Sequence, residues 1–64
     1  MIKLNDILSI MEPSQDLRIY IGDIEWMGMS AYAALKVITH KTQQRNVMSI
    51  KFCDGSVFIY LEQE

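Results

Sequence analysis

The sequence is short of the residues from which chemical sites are usually built. It holds one cysteine and one histidine in 64 positions. A single thiol forms no intrachain disulfide, and small secreted domains are commonly stapled by several, so a reducing compartment is expected. Cys53 and His40 also lack company as metal ligands: no C-x-x-C, H-x-x-x-H or clustered carboxylate motif accompanies either. His40 reads as a solvated side chain and Cys53 as a small filler beside a turn. A Cys–His nucleophile pair would need a third, orienting group, and none is signalled. Gly22, Gly28 and Gly55 make no phosphate-binding spacing. The chain therefore reads as non-enzymatic, with no metal and no cofactor.

Long apolar runs are missing too. None approaches the roughly 18 residues of a membrane span. The opening Met1-Ile2-Lys3-Leu4-Asn5-Asp6 meets a carboxylate too early for a signal peptide, which favours the cytoplasm. Nor is there an excess of positive charge. Lys3, Arg18, Lys36, Lys41, Arg45 and Lys51 are scattered among eight carboxylates, for a net charge of −2. No basic block matches a phosphate backbone, which disfavours nucleic acid as a partner.

Half of the chain is hydrophobic, more than a disordered segment carries. Surface scaling gives a folded area of roughly 4,200 Å² against about 10,700 Å² unfolded. Hydrophobic burial and conformational entropy then nearly cancel, each on the order of 10² kcal/mol. One small, marginally stable core is expected, in a single domain over residues 1–64.

Its pattern changes period along the chain. Leu4, Ile7, Leu8 and Met11 fall at i, i+3, i+4 and i+7, the stripe of a short helix that Pro13 ends near Met11 or Glu12. From Asp16 the period becomes 2, with Leu17, Ile19 and Ile21 alternating with Arg18 and Tyr20. Gly22-Asp23 suits a two-residue hairpin, pairing Ile21 with Ile24, Ile19 with Trp26 and Leu17 with Gly28 on the core face. Ser30 is a predicted N-cap for a second helix with Ala31, Ala34, Leu35 and Ile38 as its stripe. Thr39 to Asn46 reads as a polar, mobile connection. Asp54-Gly55 signals a type I′ hairpin, pairing Phe52 with Val57, Ile50 with Ile59 and Met48 with Leu61. The order α-β-β-α-β-β predicts an α+β fold, a four-stranded, mainly antiparallel sheet with two short helices on one face. A strand order of 2-1-3-4 would make every neighbour antiparallel.

Helices cover only one face of such a sheet. Under these registers the other face collects Arg18, Tyr20, Glu25, Met27, Met29, Ser49, Lys51, Phe58 and Tyr60. Three of six aromatics and two of five methionines are a heavy apolar load for a wet surface. Patches of this kind mark interaction sites, so Arg18, Tyr20, Met27, Met29, Lys51, Phe58 and Tyr60 are the candidate interface residues. The plainer alternative is that the rings stabilise their strands as cross-strand neighbours.

Lys3-Leu4-Asn5-Asp6-Ile7-Leu8, Leu17-Arg18-Ile19-Tyr20-Ile21, Val47-Met48-Ser49-Ile50 and Asp54-Gly55-Ser56-Val57-Phe58-Ile59 together resemble small uncharacterised proteins of Gram-positive bacteria and their phages. The resemblance spans most of the chain and carries over no functional residue. It implies a phage or mobile-element origin, where small acidic proteins inhibit host defence systems by binding them, in the manner of anti-CRISPR proteins. Three functions remain open on the sequence. The first is a module binding a protein partner or a second copy of itself, with a homodimer expected. The second is a nucleic-acid-binding regulator using the aromatic face. The third is a structural homo-oligomer subunit.

Overall fold

The computed structural model describes residues 2–22 and 24–63. Helix α1 (Leu4–Ile10) is followed by strands β1 (Asp16–Ile21) and β2 (Ile24–Ser30). Helices α2 (Ala31–Val37) and α3 (His40–Gln43) come next, then strands β3 (Val47–Cys53) and β4 (Ser56–Leu61). The accessible area of 4290 Å² agrees with the value scaled from chain mass. No helix among the described residues is long and apolar enough to cross a membrane.

The fold is α+β, but its sheet is mixed. The strands lie in the order β2-β1-β4-β3, with antiparallel hairpins outside and a parallel β1–β4 pair at the centre. The mainly antiparallel sheet with order 2-1-3-4 is thereby corrected. Burial gives the reason. β4 reads Ser-Val-Phe-Ile-Tyr-Leu, β-branched or aromatic at four of its six positions, and buries Val57, Ile59 and Leu61. Every second residue of β4 is thus buried, as suits a strand between two neighbours, whereas β3 leaves Met48 and Phe52 largely exposed at the edge.

One core holds the halves together. Leu4, Ile7 and Leu8 of α1 and Ala31 and Ala34 of α2 pack with Ile38 on Leu17, Ile19, Val57, Ile59 and Leu61. Both predicted helices thus lie on one face. The stripe of α2 is narrower than its periodicity suggests, because Leu35 stays 39% exposed. Three N–H groups at the start of α2 are satisfied from outside the helix. Ala31 N–H donates to Gln15 O (2.9 Å), Tyr32 N–H to Pro13 O (3.0 Å) and Ala33 N–H to the predicted Ser30 Oγ cap (3.3 Å). The turn after α1 therefore seats the second helix.

The polar stretch read as a mobile connection contains a third helix. Thr39 Oγ1 accepts from Thr42 N–H (3.4 Å) to start the single turn of α3. Gln43 Nε2 then donates to Ile38 O (2.9 Å), tying this turn to the end of α2. His40 is exposed here, and Cys53 is exposed at the end of β3.

The second hairpin has its predicted turn, and both hairpins slip farther along their strands. Asp54 (φ 48°) and Gly55 (φ 80°) have the two positive φ values of a type I′ turn. Gly22 has φ 63°, and Asp23 lies outside the described residues. In the first hairpin a bulge separates Tyr20↔Glu25 from Ile19↔Met27, so the expected Ile19–Trp26 and Leu17–Gly28 pairs do not form. In the second, Ser49↔Tyr60 is followed by Val47↔Leu61, which displaces the expected Met48–Leu61 pair. One extra residue reverses the faces of everything beyond it. Val47 and not Met48 packs toward the core, and Met48 is 65% exposed. Phe52 keeps its register opposite Val57, but it is 79% exposed.

Candidate interaction face

Side chains on the uncovered face form two rows across the sheet. One runs Gly28, Arg18, Phe58, Lys51, and the other Glu25, Tyr20, Tyr60, Ser49. The rows exist because β1 and β4 pair in parallel with Arg18 opposite Phe58 and Tyr20 opposite Tyr60. The two tyrosine rings stack at 4.9 Å between centroids and 18° between planes. Phe58 lies 6.0 Å from Tyr20, tilted by 33°. These distances suit offset or tilted aromatic pairs, so the three rings support one another without a partner.

Charge flanks the rings on both sides. Arg18 Nη1 meets Glu25 Oε1 at 3.0 Å, and the Tyr20 hydroxyl donates to the same oxygen at 3.2 Å. The Arg18 guanidinium, and then the Tyr20 hydroxyl, hold the Glu25 carboxyl below its ordinary pKa. Desolvation, and then the bond to Glu25, raises the Tyr20 phenol. On the β3 side, Lys51 Nζ sits 5.4 Å from the centre of the Tyr60 ring. Where Gly28 contributes no side chain, the face dips into an open hollow of about 380 Å³ bordered by Asp16, Arg18, Glu25 and Ser56.

Of the seven predicted interface residues, Arg18, Tyr20, Lys51, Phe58 and Tyr60 come together here. Met27 and Met29 do not. The bulge after Glu25 turns both toward the helices, where they pack against the core. Flexible, unbranched side chains fill the irregular gap that a bulge leaves. Glu25 and Gly28 matter more to this face than its composition suggests, since one anchors two side chains and the other opens the hollow. The Arg18/Glu25 charge complement beside a hairpin was the available signal for the first. Among the described residues, no three His, Cys, Asp or Glu side chains gather where they could hold a metal ion. No protein-family model, curated protein or solved structure matches the chain.

Proposed function

We propose that the chain is a small non-enzymatic module that binds a protein through its open sheet face, with Tyr20, Phe58 and Tyr60 as the contact centre. The observation that carries this reading is the pre-stacked aromatic cluster on the face opposite the helices. Interface energy concentrates in aromatic anchors surrounded by polar groups, and rings already held in place lose little entropy on docking. The mixed charge around them suits a protein better than a polyanion. Arg18 is neutralised by Glu25, which leaves Lys51 to meet phosphate alone in these two rows. The phage or mobile-element origin, the bacterial cytoplasm and a host-defence component as partner belong to the same proposal. They rest on the four-segment resemblance.

The test is capture from lysate of a bacterial host, with the parent chain, Phe58→Ser and Tyr60→Ser as baits. Circular dichroism melts should first show both variants folded, because neither ring lies in the core. Ile59→Ala, by contrast, opens a cavity at a fully buried position and should cost roughly 2–5 kcal/mol, enough to unfold so small a domain. A protein held by the parent, resistant to nuclease and lost from both folded serine variants supports the reading. Capture unchanged by either substitution removes the aromatic face from the account. Capture of RNA or DNA alone promotes the nucleic-acid reading instead.

A further inference from the structure

β3 is an edge strand whose outer side is covered only at its start. There the segment Ile2–Leu4 lies against it. Val47 N–H donates to Ile2 O (2.8 Å), Leu4 N–H donates to Arg45 O (3.0 Å), and Lys3 bridges to Asn46. From Met48 to the Asp54-Gly55 turn no further strand follows among the described residues. Edges left open in this way are normally blunted by charge or by a bulge, and here the bulge lies at Met48, at the start of the open stretch. This one presents Met48 and Phe52, both largely exposed, and its only charge, Lys51, is turned onto the Tyr60 ring. Hairpin pairing decides which main-chain groups are unused. Cys53↔Ser56 closes a two-residue turn, so Lys51↔Phe58 and Ser49↔Tyr60 exchange hydrogen bonds within the hairpin. The N–H and C=O groups of Ile50 and Phe52 therefore point away from β4.

We propose that a second copy of the chain closes this edge, β3 pairing with β3 antiparallel about a two-fold axis between the two Ile50 residues. The free stretch dictates the register. An axis at Lys51 would set two ammonium groups opposite each other, which is repulsive. An axis at Ser49 would press Phe52 of one copy onto Asn46 of the other, where Lys3 already lies. An axis at Phe52 would carry Ile50 onto the turn residue Asp54 and leave Met48 and Ser49 uncovered. The axis at Ile50 uses the whole stretch. Ile50 exchanges main-chain hydrogen bonds with Ile50, Ser49 faces Lys51, and Phe52 reaches the position of the bulged Met48. No carboxylate lies between Val47 and Cys53 to oppose the contact.

Five paired residues span roughly 17 Å. So short a contact falls in the weak class below about 1,200 Å² of buried area, and the dimer forms and dissociates with concentration. Its product is a continuous eight-stranded sheet with the two aromatic faces side by side. This self-association does not depend on what, if anything, docks on those faces.

Sedimentation of the purified chain from micromolar to millimolar concentration should show the mass rising from 7.4 kDa toward twice that value. Phe52→Lys should abolish the rise while leaving the melting curve in place. The register is read separately in a Cys53→Ser background by mixing Ser49→Cys chains with Lys51→Cys chains under mild oxidation. Positions 49 and 51 of opposite copies would form a non-hydrogen-bonded pair, whose Cβ atoms lie close enough for a disulfide. With the two chains in equal amounts, intact mass should show the mixed disulfide well above the one half that random pairing gives, exceeding the two like-with-like products taken together. A constant mass over the whole range overturns the dimer. A statistical mixture of the three disulfides, or a majority joining two Lys51→Cys chains, overturns the pairing.

Discussion

Glu25 organises one end of the aromatic face alone, because a single carboxylate oxygen serves both Arg18 and the Tyr20 hydroxyl. Its ion pair is exposed on both sides, so its contribution to stability is small and screened by salt. The pH dependence nevertheless has a definite sign. The folded pKa of Glu25 lies below its ordinary value, so the unfolded chain takes up this proton first as pH falls. The stabilisation is complete above the ordinary carboxylate range and is lost as pH drops through the depressed folded value. Glu25→Gln should therefore melt below the parent at neutral pH and low salt. The gap should close in acid, where the parent carboxyl is itself neutral. Paired thermal melts at the two pH values test this, and an equal gap at both would assign the effect to packing rather than charge.

At the scale of the element, alternation was legible as far as each hairpin runs uninterrupted from its turn. The pairs Ile21↔Ile24 and Tyr20↔Glu25, and those from Cys53↔Ser56 back to Ser49↔Tyr60, follow from the turn residues and the period of 2. That is why Tyr20, Phe58, Tyr60, Arg18 and Lys51 were found on the open face. Past each bulge the reading reverses, and Met27, Met29 and Met48 are placed on the wrong sides. Neither bulge has a glycine to announce it. Glu25-Trp26-Met27 and Val47-Met48 are ordinary strand residues, and past the extra one Met27 and Val47 pack against the core. Glycines elsewhere in these hairpins are open to test. Gly55 has φ 80°, and a Cβ added there would meet nothing within 4 Å, so Gly55→Ala suffers only the left-handed backbone. It should cost about 1–2 kcal/mol. At Gly28 an added Cβ would meet Arg18 Cγ at 3.6 Å, an ordinary contact, and φ is not positive. Gly28→Ala should be neutral or stabilise by up to about 1 kcal/mol through reduced freedom of the unfolded chain. Urea midpoints of the two variants should move in opposite directions, or Gly28 should not move at all.

The helix-covered α+β sheet was legible from element order, but the order of its strands was not. Each strand keeps its own direction in both arrangements, 2-1-3-4 and the observed β2-β1-β4-β3, which differ only in which member of the second hairpin touches β1. Hydrophobic periodicity is blind to that choice, since β3 and β4 each alternate. Burial separates them in the fold, with β4 burying Val57, Ile59 and Leu61 at the centre while β3 leaves Met48 and Phe52 exposed at the edge. Hydrogen exchange of individual amides distinguishes the two at dilute protein. In the observed order the N–H groups of Val57, Ile59 and Leu61 face β1, while those of Ile50 and Phe52 face outward. Central amides open only with much of the structure, and outward amides need no opening at all. Val57, Ile59 and Leu61 should thus be among the slowest to exchange, together with Leu17 to Ile21. Ile50 and Phe52 should exchange far faster than Ser49 and Lys51 beside them in sequence. In the alternative order the alternate amides of β4 would be free and those of Ile50 and Phe52 bonded to β1. Fast exchange at Ile59 with slow exchange at Ile50 in the monomer would therefore refute the parallel centre of this sheet, and with it the free edge on which β3 self-pairing depends.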